Sequence, residues 1–375
     1  MAGIYIHIPY CKKACHYCNF HFSTSLQSKN DFVPALLNEI ALRDNYLGEN
    51  PRIETIYFGG GTPSLLSDEE LGQIITAIKE RFEVAPDAEL TLETNPDDIT
   101  VERLKGWQAI GVNRLSIGVQ SFQEKELEWM NRAHNVQQAI ESIETGLKYF
   151  PNSSIDLIYG GPDLTDEQWK DHVDRVIAWK VPHVSCYALT VEPQTALDHF
   201  IKKKQSKPVD AEAQARQFLL LMQWLREAGY EHYEISNFAL PGFRSRHNSS
   251  YWRGLSYLGL GPSAHSYDGK SRQWNVANNA LYIQSLKNNT VPFEQEVLSE
   301  KDRYNEFVMI SLRTMEGVSK ARLEAEFERS IVDTFQKEVK RFIDSGWVVE
   351  DAVSFRLSDE GRLRADGVAA ELFVG

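Results

Sequence analysis

The chain has 375 residues, 42 % of them apolar and 25 % charged, the composition of a globular protein of two domains or of one large domain with an appendage. Its net charge of −13 argues against a nucleic-acid partner, because phosphate backbones need a basic surface. No apolar run approaches the roughly 20 residues that cross a bilayer, and four cysteines make no disulfide framework. With no basic or long apolar stretch in "MAGIYIHIPYC", the sequence predicts a cytoplasmic protein without a signal peptide that is not an integral membrane protein.

Strand and helix patterns alternate through the first half. Short β-branched runs predict strands over residues 3–9, 53–60, 89–95, 114–121, 154–160 and 183–190. Amphipathic stretches between them predict helices over 31–47, 68–82, 101–110, 136–150 and 166–180, and Ser67 with Glu70 and Thr165 with Gln168 have capping-box spacing. Such alternation implies a parallel sheet with right-handed crossovers. Six strands leave an eight-fold barrel incomplete, so the predicted α/β fold is an open, partial (β/α)6 barrel, with a doubly wound sheet as the alternative.

The alternation ends near residue 205. The basic run "IKKKQSK" (201–207) has no interleaved aromatics and reads as a solvated loop. A long helix over 210–229 leads to the Gly- and aromatic-rich stretch "RHNSSYWRGLSYLGLGPSAHSYDG" (246–269). Helices over 304–315, 320–327 and 332–345 and two short strands at 347–350 and 353–357 then predict a small, mostly helical, winged-helix-like domain. Its 12 basic residues against 15 acidic ones suit a protein-facing lid better than a DNA reader. The division is 1–240 for the barrel, 241–300 for a connecting segment and 301–375 for the C-terminal domain.

Three cysteines, Cys11, Cys15 and Cys18, follow the first predicted strand with C-x3-C-x2-C spacing. A loop can curl three thiolates toward one point. Three ligands leave one iron of a four-iron cluster open to an exchangeable molecule, the logic by which catalytic zinc sites keep a free position. A zinc site completed by His7, His16 or His21 is the alternative on spacing alone. Gly59, Gly60 and Gly61 end the second strand, Glu93 the third and Gln120 the fourth, and Asp156 lies on the fifth. In a parallel barrel, functional residues collect at the C-terminal ends of strands.

The C-x3-C-x2-C spacing is the signature of the radical S-adenosylmethionine (SAM) superfamily. "YIHIPYCKKACHYCNF", "YFGGGTPS", "LETNP", "SIGVQSF", "NRAH" and "DLIYG" resemble, in order, motifs of the oxygen-independent coproporphyrinogen III oxidase family, and "EFVMISLRTMEGV" resembles its C-terminal domain. The resemblance implies that Cys11, Cys15 and Cys18 bind a [4Fe–4S] cluster whose fourth iron takes SAM. It implies SAM contacts from Gly60, Gly61 and Thr62, and from Tyr5, Tyr17, Glu93, Gln120, Arg132 and Asp156. Ala188 and His265 fall near further contact positions.

Two departures separate branches of this family. The decarboxylating oxidase has a fourth cysteine where this chain has Phe20, and an N-terminal extension that this sequence, with its first strand beginning by residue 3, does not show. The haem-chaperone branch carries H-N-x-x-Y-W, which reads here His247-Asn248-Ser249-Ser250-Tyr251-Trp252. That resemblance implies haem as cargo, haem-accepting proteins such as respiratory enzymes and an electron donor as partners, and His247 as a candidate haem ligand, with His265 competing. The oxidase-like activity stays as the alternative. Cys186, mid-strand, is expected to be a small buried apolar residue.

Overall fold

Strands buried on both faces build the first half of the chain. Residues 1–48 and 51–375 are described by the computed structural model. Ala2–Ile8 (β1), Arg52–Gly60 (β2), Glu83–Thr94 (β3), Arg114–Gln120 (β4), Ser153–Tyr159 (β5) and His183–Ala188 (β6) pair in parallel, in chain order. An order without reversal puts every right-handed crossover helix on one face, which curls the sheet into a barrel wall. A doubly wound sheet needs the order to reverse at a switch point, and this one does not.

The two faces of the strands differ. Ile4, Ile6 and Ile8 of β1, Ile56 and Phe58 of β2, Leu90 and Leu92 of β3 and Leu115 and Ile117 of β4 pack in the main core with Leu36, Ile40, Ile74, Ile78 and Ile143 of the helices. Each such side chain contributes about 1.5–3 kcal/mol on burial. The alternate residues face the lumen and are polar: Tyr5, Thr55, Tyr57, Glu89, Thr91, Glu93, Arg114, Ser116, Asp156 and Ser185 meet one another in register across neighbouring strands. Both expected capping boxes form, at Ser67–Glu70 and Thr165–Gln168.

The sheet continues past six strands. Glu231–Glu234 (β7) and Asn237–Ala239 (β8) extend it antiparallel beyond β6. On the other side Tyr257–Leu260 (β9) pairs parallel with β1, followed by antiparallel His265–Tyr267 (β10), Ser271–Asn275 (β11) and Phe293–Val297 (β12). The order is β12-β11-β10-β9-β1-β2-β3-β4-β5-β6-β8-β7, with β12 and β7 as the ends of an open wall. Residues read from the sequence as a connecting segment therefore supply four strands.

The C-terminal region has its own core around Phe307, Leu312, Leu323, Phe335 and Phe342. Helices Glu300–Leu312, Lys320–Glu326 and Arg329–Asp344 pack on an antiparallel sheet of Val318–Ser319 (β13), Val348–Glu350 (β14) and Ser354–Leu357 (β15), ordered β13-β15-β14. This is the expected winged-helix-like arrangement with one added strand and two added helices, Asp359–Arg362 and Ala365–Glu371; two residues are too few for β13 to show a pattern. Backbone bonds from Met315 N to Tyr233 O (3.1 Å) and Ile235 N to Arg313 O (3.0 Å) join it to the barrel. No helix among the described residues is long and apolar enough to cross a membrane.

Candidate functional site

The cysteine loop leaves the C-terminal end of β1 and is pinned along its length. Cys11 N donates to Ser23 O (3.0 Å) and Ser23 N to Pro9 O (2.9 Å), closing its base. His16 N donates to Met130 O (3.1 Å), His16 Nδ1 to Trp129 O (2.7 Å) and Asn131 Nδ2 to Ala14 O (2.8 Å), which hold its far side to the chain after β4. Lys12 bridges to Asp97 (2.6 Å) and Asp98.

Under this loop lies a cavity of about 440 Å³. Cys11, Cys15, Tyr17 and Cys18 of the loop line it, with Gly60, Gly61, Thr62, Glu93, Gln120, Arg132, Asp156 and Ala188 from the ends of five further strands and the loops beyond them. Every sequence-derived cluster and SAM candidate except Tyr5 and His265 is thus brought to one mouth; those two line a second cavity. Tyr5 points into the lumen below, its hydroxyl 3.3 Å from His7 Nδ1. None of His7, His16 and His21 lines the cysteine cavity, and no three His, Cys, Asp or Glu side chains among the described residues form a single-ion site. Cys186 is buried in the main core, as expected, and outside the cavity.

Arg132 organises the mouth. Its Nη1 donates to Cys15 Sγ (3.2 Å) and Tyr17 Oη (3.4 Å), and its Nη2 to Asn95 Oδ1 and Gly118 O (2.8 Å each). Its Nε has no partner among the described residues. Asn95, within "LETNP", is a site residue that its motif alone does not mark; its place directly after β3 is the signal that finds it. Glu93 accepts from Tyr57 Oη (2.8 Å) and Gly60 N (3.2 Å), and burial with Asp156 nearby pushes its carboxyl up to about 8. Burial likewise raises Asp156 to about 6, against hydrogen bonds from Ser185 and Ser116. Burial also pushes the Cys11 thiol up to about 11, so a metal must displace its proton before the sulfur can ligate.

The glycines at the end of β2 are demanded by the protein itself. A Cβ on Gly61 would lie 2.6 Å from Tyr10 O and 2.8 Å from Ile8 O, and one on Gly60 would strike the His7 ring. Gly61 N to Ile8 O (2.8 Å) and Thr62 N to Tyr10 O (2.7 Å) carry the β1–β2 pairing into the cysteine loop. Gln120 adopts φ +69°, a left-handed conformation rare outside glycine, at an irregularity in the β4–β5 register.

A second cavity, of about 1000 Å³, opens between the barrel and the C-terminal domain. Asn19 and Phe20 line both cavities, so the tail of the cysteine loop is their shared wall. His247 lines neither. It is 2 % exposed on the helix Arg246–Trp252, with Nδ1 2.7 Å from Thr55 Oγ1, Nε2 2.8 Å from Tyr251 Oη and its ring stacked 4.9 Å from Tyr57. Burial drives its pKa down to about 3, so the ring is neutral. Tyr251 and Trp252 of the same motif do face the second cavity.

An open parallel barrel with three cysteines on its first loop defines a class, and residues 5–176 match the model of the radical SAM superfamily. Residues 298–364 match the HemN C-terminal domain. The chain is 33 % identical to heme chaperone HemW of Bacillus subtilis, over 98 % of both chains, and 32 % identical to heme chaperone HemW of Escherichia coli, over 99 % of this chain and 98 % of that one. The solved structure of coproporphyrinogen III oxidase (HemN) from Escherichia coli superposes on it with a TM-score of 0.85 at 23 % identity, covering 100 % of this chain and 90 % of that one, a likeness of fold. The chain belongs to the heme chaperone HemW family.

Proposed function

We propose that this chain is a cytoplasmic haem chaperone, taking haem and passing it to acceptor proteins, respiratory enzymes among them. In this reading it carries a [4Fe–4S] cluster on Cys11, Cys15 and Cys18 and exchangeable SAM on the open iron. The observation that carries it is the pair of cavities sharing Asn19 and Phe20: a thiol-lined pocket beside a larger one walled by aromatics and histidines. Three thiols on one cavity offer one anchor each to three irons of a cluster and leave its fourth iron open. The chemistry such a cluster supplies when bound is one-electron reduction of the sulfonium by an external donor.

The chain's own residues hold and shield. Arg132 ties Cys15 and Tyr17 to Gly118 and Asn95, which fixes the loop over the barrel mouth. Gly60, Gly61 and Thr62 present backbone, and Glu93, Gln120 and Asp156 polar groups, to the same space as the thiols, where an amino acid portion would be bound. Residues 1–240 then carry cluster and SAM, residues 241–300 the HNxxYW segment, and residues 301–375 cover the larger cavity.

The test is anaerobic reconstitution with iron and sulfide, followed by hemin titration and transfer to an apo-haemoprotein. About four irons per chain, saturable haem uptake and transfer are expected. Decarboxylation of coproporphyrinogen III in the presence of SAM and a reductant, or an inability to take up haem, would overturn the proposal.

A further inference from the structure

Three histidines, His7, His21 and His265, line the larger cavity, and their nitrogens are differently engaged. His7 uses both: Nε2 donates to His21 O (2.8 Å) and Nδ1 meets Tyr5 Oη (3.3 Å). His21 Nε2 is held by Asn279 Oδ1 at 2.7 Å. His265 has no hydrogen-bond partner at either ring nitrogen among the described residues. Its side chain is exposed on β10, and its ring stacks on Trp274, its cross-strand partner on β11, with centroids 6.1 Å apart. The backbone seat beneath it is made by glycine: a Cβ on Gly259 would fall 2.0 Å from His265 O.

The same cavity offers the other chemistry that a haem needs. Phe20, Tyr251 and Trp252 give flat apolar surface to a macrocycle. Arg303 lines it without an ion-pair partner among the described residues, while Arg272 pairs with Glu306 (3.0 Å) and Arg322 with Glu326 (2.8 Å). Arg272 Nε and Trp252 Nε1 are buried donors without a partner among the described residues. These are unspent donors for the two carboxylates of an iron porphyrin.

We propose that haem occupies this cavity with His265 as the protein ligand to its iron and the propionates toward Arg303 and Arg272, and that His247 is a positioning residue behind Tyr251. This rests on the chaperone reading and assigns the site within it.

The experiment titrates the reconstituted full chain with hemin and reads the Soret band and the ferric spin state by electron paramagnetic resonance. His265→Ala is expected to change the spin state and weaken binding by roughly tenfold or more (~1.4 kcal/mol), and added imidazole is expected to restore the wild-type spectrum. Arg303→Glu is expected to weaken binding without changing the spin state. His247→Ala is expected to keep the iron signature, with circular dichroism reporting its fold; His247→Gln gives a second check. An unchanged signature in His265→Ala, or its loss in His21→Ala or His247→Gln instead, overturns the assignment and leaves the chaperone reading standing. If the wild-type chain takes up no haem, both fall.

Discussion

His247 Nε2 holds the Tyr251 hydroxyl at 2.8 Å across one helical turn, while Nδ1 takes Thr55 Oγ1 at 2.7 Å on β2. One neutral ring thus fastens the HNxxYW helix to the barrel lumen and sets the angle at which Tyr251 enters the larger cavity. Tyr251→Phe and Thr55→Val each leave a buried ring nitrogen unmatched, so each is expected to lower unfolding free energy by about 1–3 kcal/mol in urea denaturation. Because both act on one ring, their double mutant should depart from additivity. Strict additivity would show that the ring does not couple the two elements.

Gly61 governs whether the cysteine loop can dock. The atoms a Cβ would meet are the carbonyl oxygens of Tyr10 and Ile8, backbone that cannot swing aside. Gly61→Ala is expected to destabilise the chain by about 1–3 kcal/mol and to cut iron incorporation on reconstitution. Gly367→Ala is the control: it lies in the helix Ala365–Glu371 with open space around it, and should stabilise by about 0.5–1 kcal/mol with full iron uptake. Equal iron content in the two variants would remove the packing argument.

Glu93 makes the cofactor-free protein sensitive to pH. Its folded pKa of about 8 stands above the ordinary carboxyl value of 4.5, so folding favours its protonated form. Its stabilising contribution is complete below about 4.5 and is lost as pH rises through about 8. The slope it adds is at most about 1.4 kcal/mol per pH unit. Asp156, raised to about 6, adds loss in the lower part of that window. Glu93→Gln should flatten the decline between pH 5 and 8 in denaturation midpoints; an unchanged slope would mean that Glu93 ionises normally in the fold.

The barrel was legible because its strands alternate. "ELTLETN" and "RLSIGVQS" set apolar residues toward the helices and Glu93, Ser116 and Gln120 toward the lumen or mouth, and sequential strand–helix order left little choice of topology. The three cysteines announced themselves by spacing. Other features depended on distance in three dimensions. The ten-residue stretch around Trp274 carries no motif, yet β11 supplies the partner on which His265 stacks. Nothing local tells that His247 is enclosed while Tyr251 and Trp252 reach a cavity, because the helix's facing is set by Thr55, 192 residues earlier.

Glu39 shows the same gap between local pattern and tertiary use, and is the most exacting test of the fold. In "NEIALR" it reads as a surface helix acid, but it is fully buried at the join between the helix Lys29–Leu42 and the strands β9–β11. Its carboxyl accepts from Gly261 N (2.8 Å), Asn275 Nδ2 (2.6 Å) and Tyr282 Oη (2.6 Å), with Arg43 Nη1 at 3.6 Å. All four neighbours donate, so the site calls for acceptors only. Glu39→Ala leaves the buried Arg43 charge without its carboxylate and the Gly261 and Tyr282 donors without an acceptor, while Arg43 keeps Gln273 Oε1 (2.6 Å), and is expected to cost about 3–5 kcal/mol. Glu39→Gln restores the shape but turns an amide NH₂ toward donors, and should still cost about 1–3 kcal/mol. Exposed Glu144→Ala should fall within about 0.5 kcal/mol of wild type. Urea denaturation with a common m-value ranks the three, and Glu39→Gln matching Glu144→Ala would show that the carboxylate's charge is not what holds β9–β11 against the barrel helix.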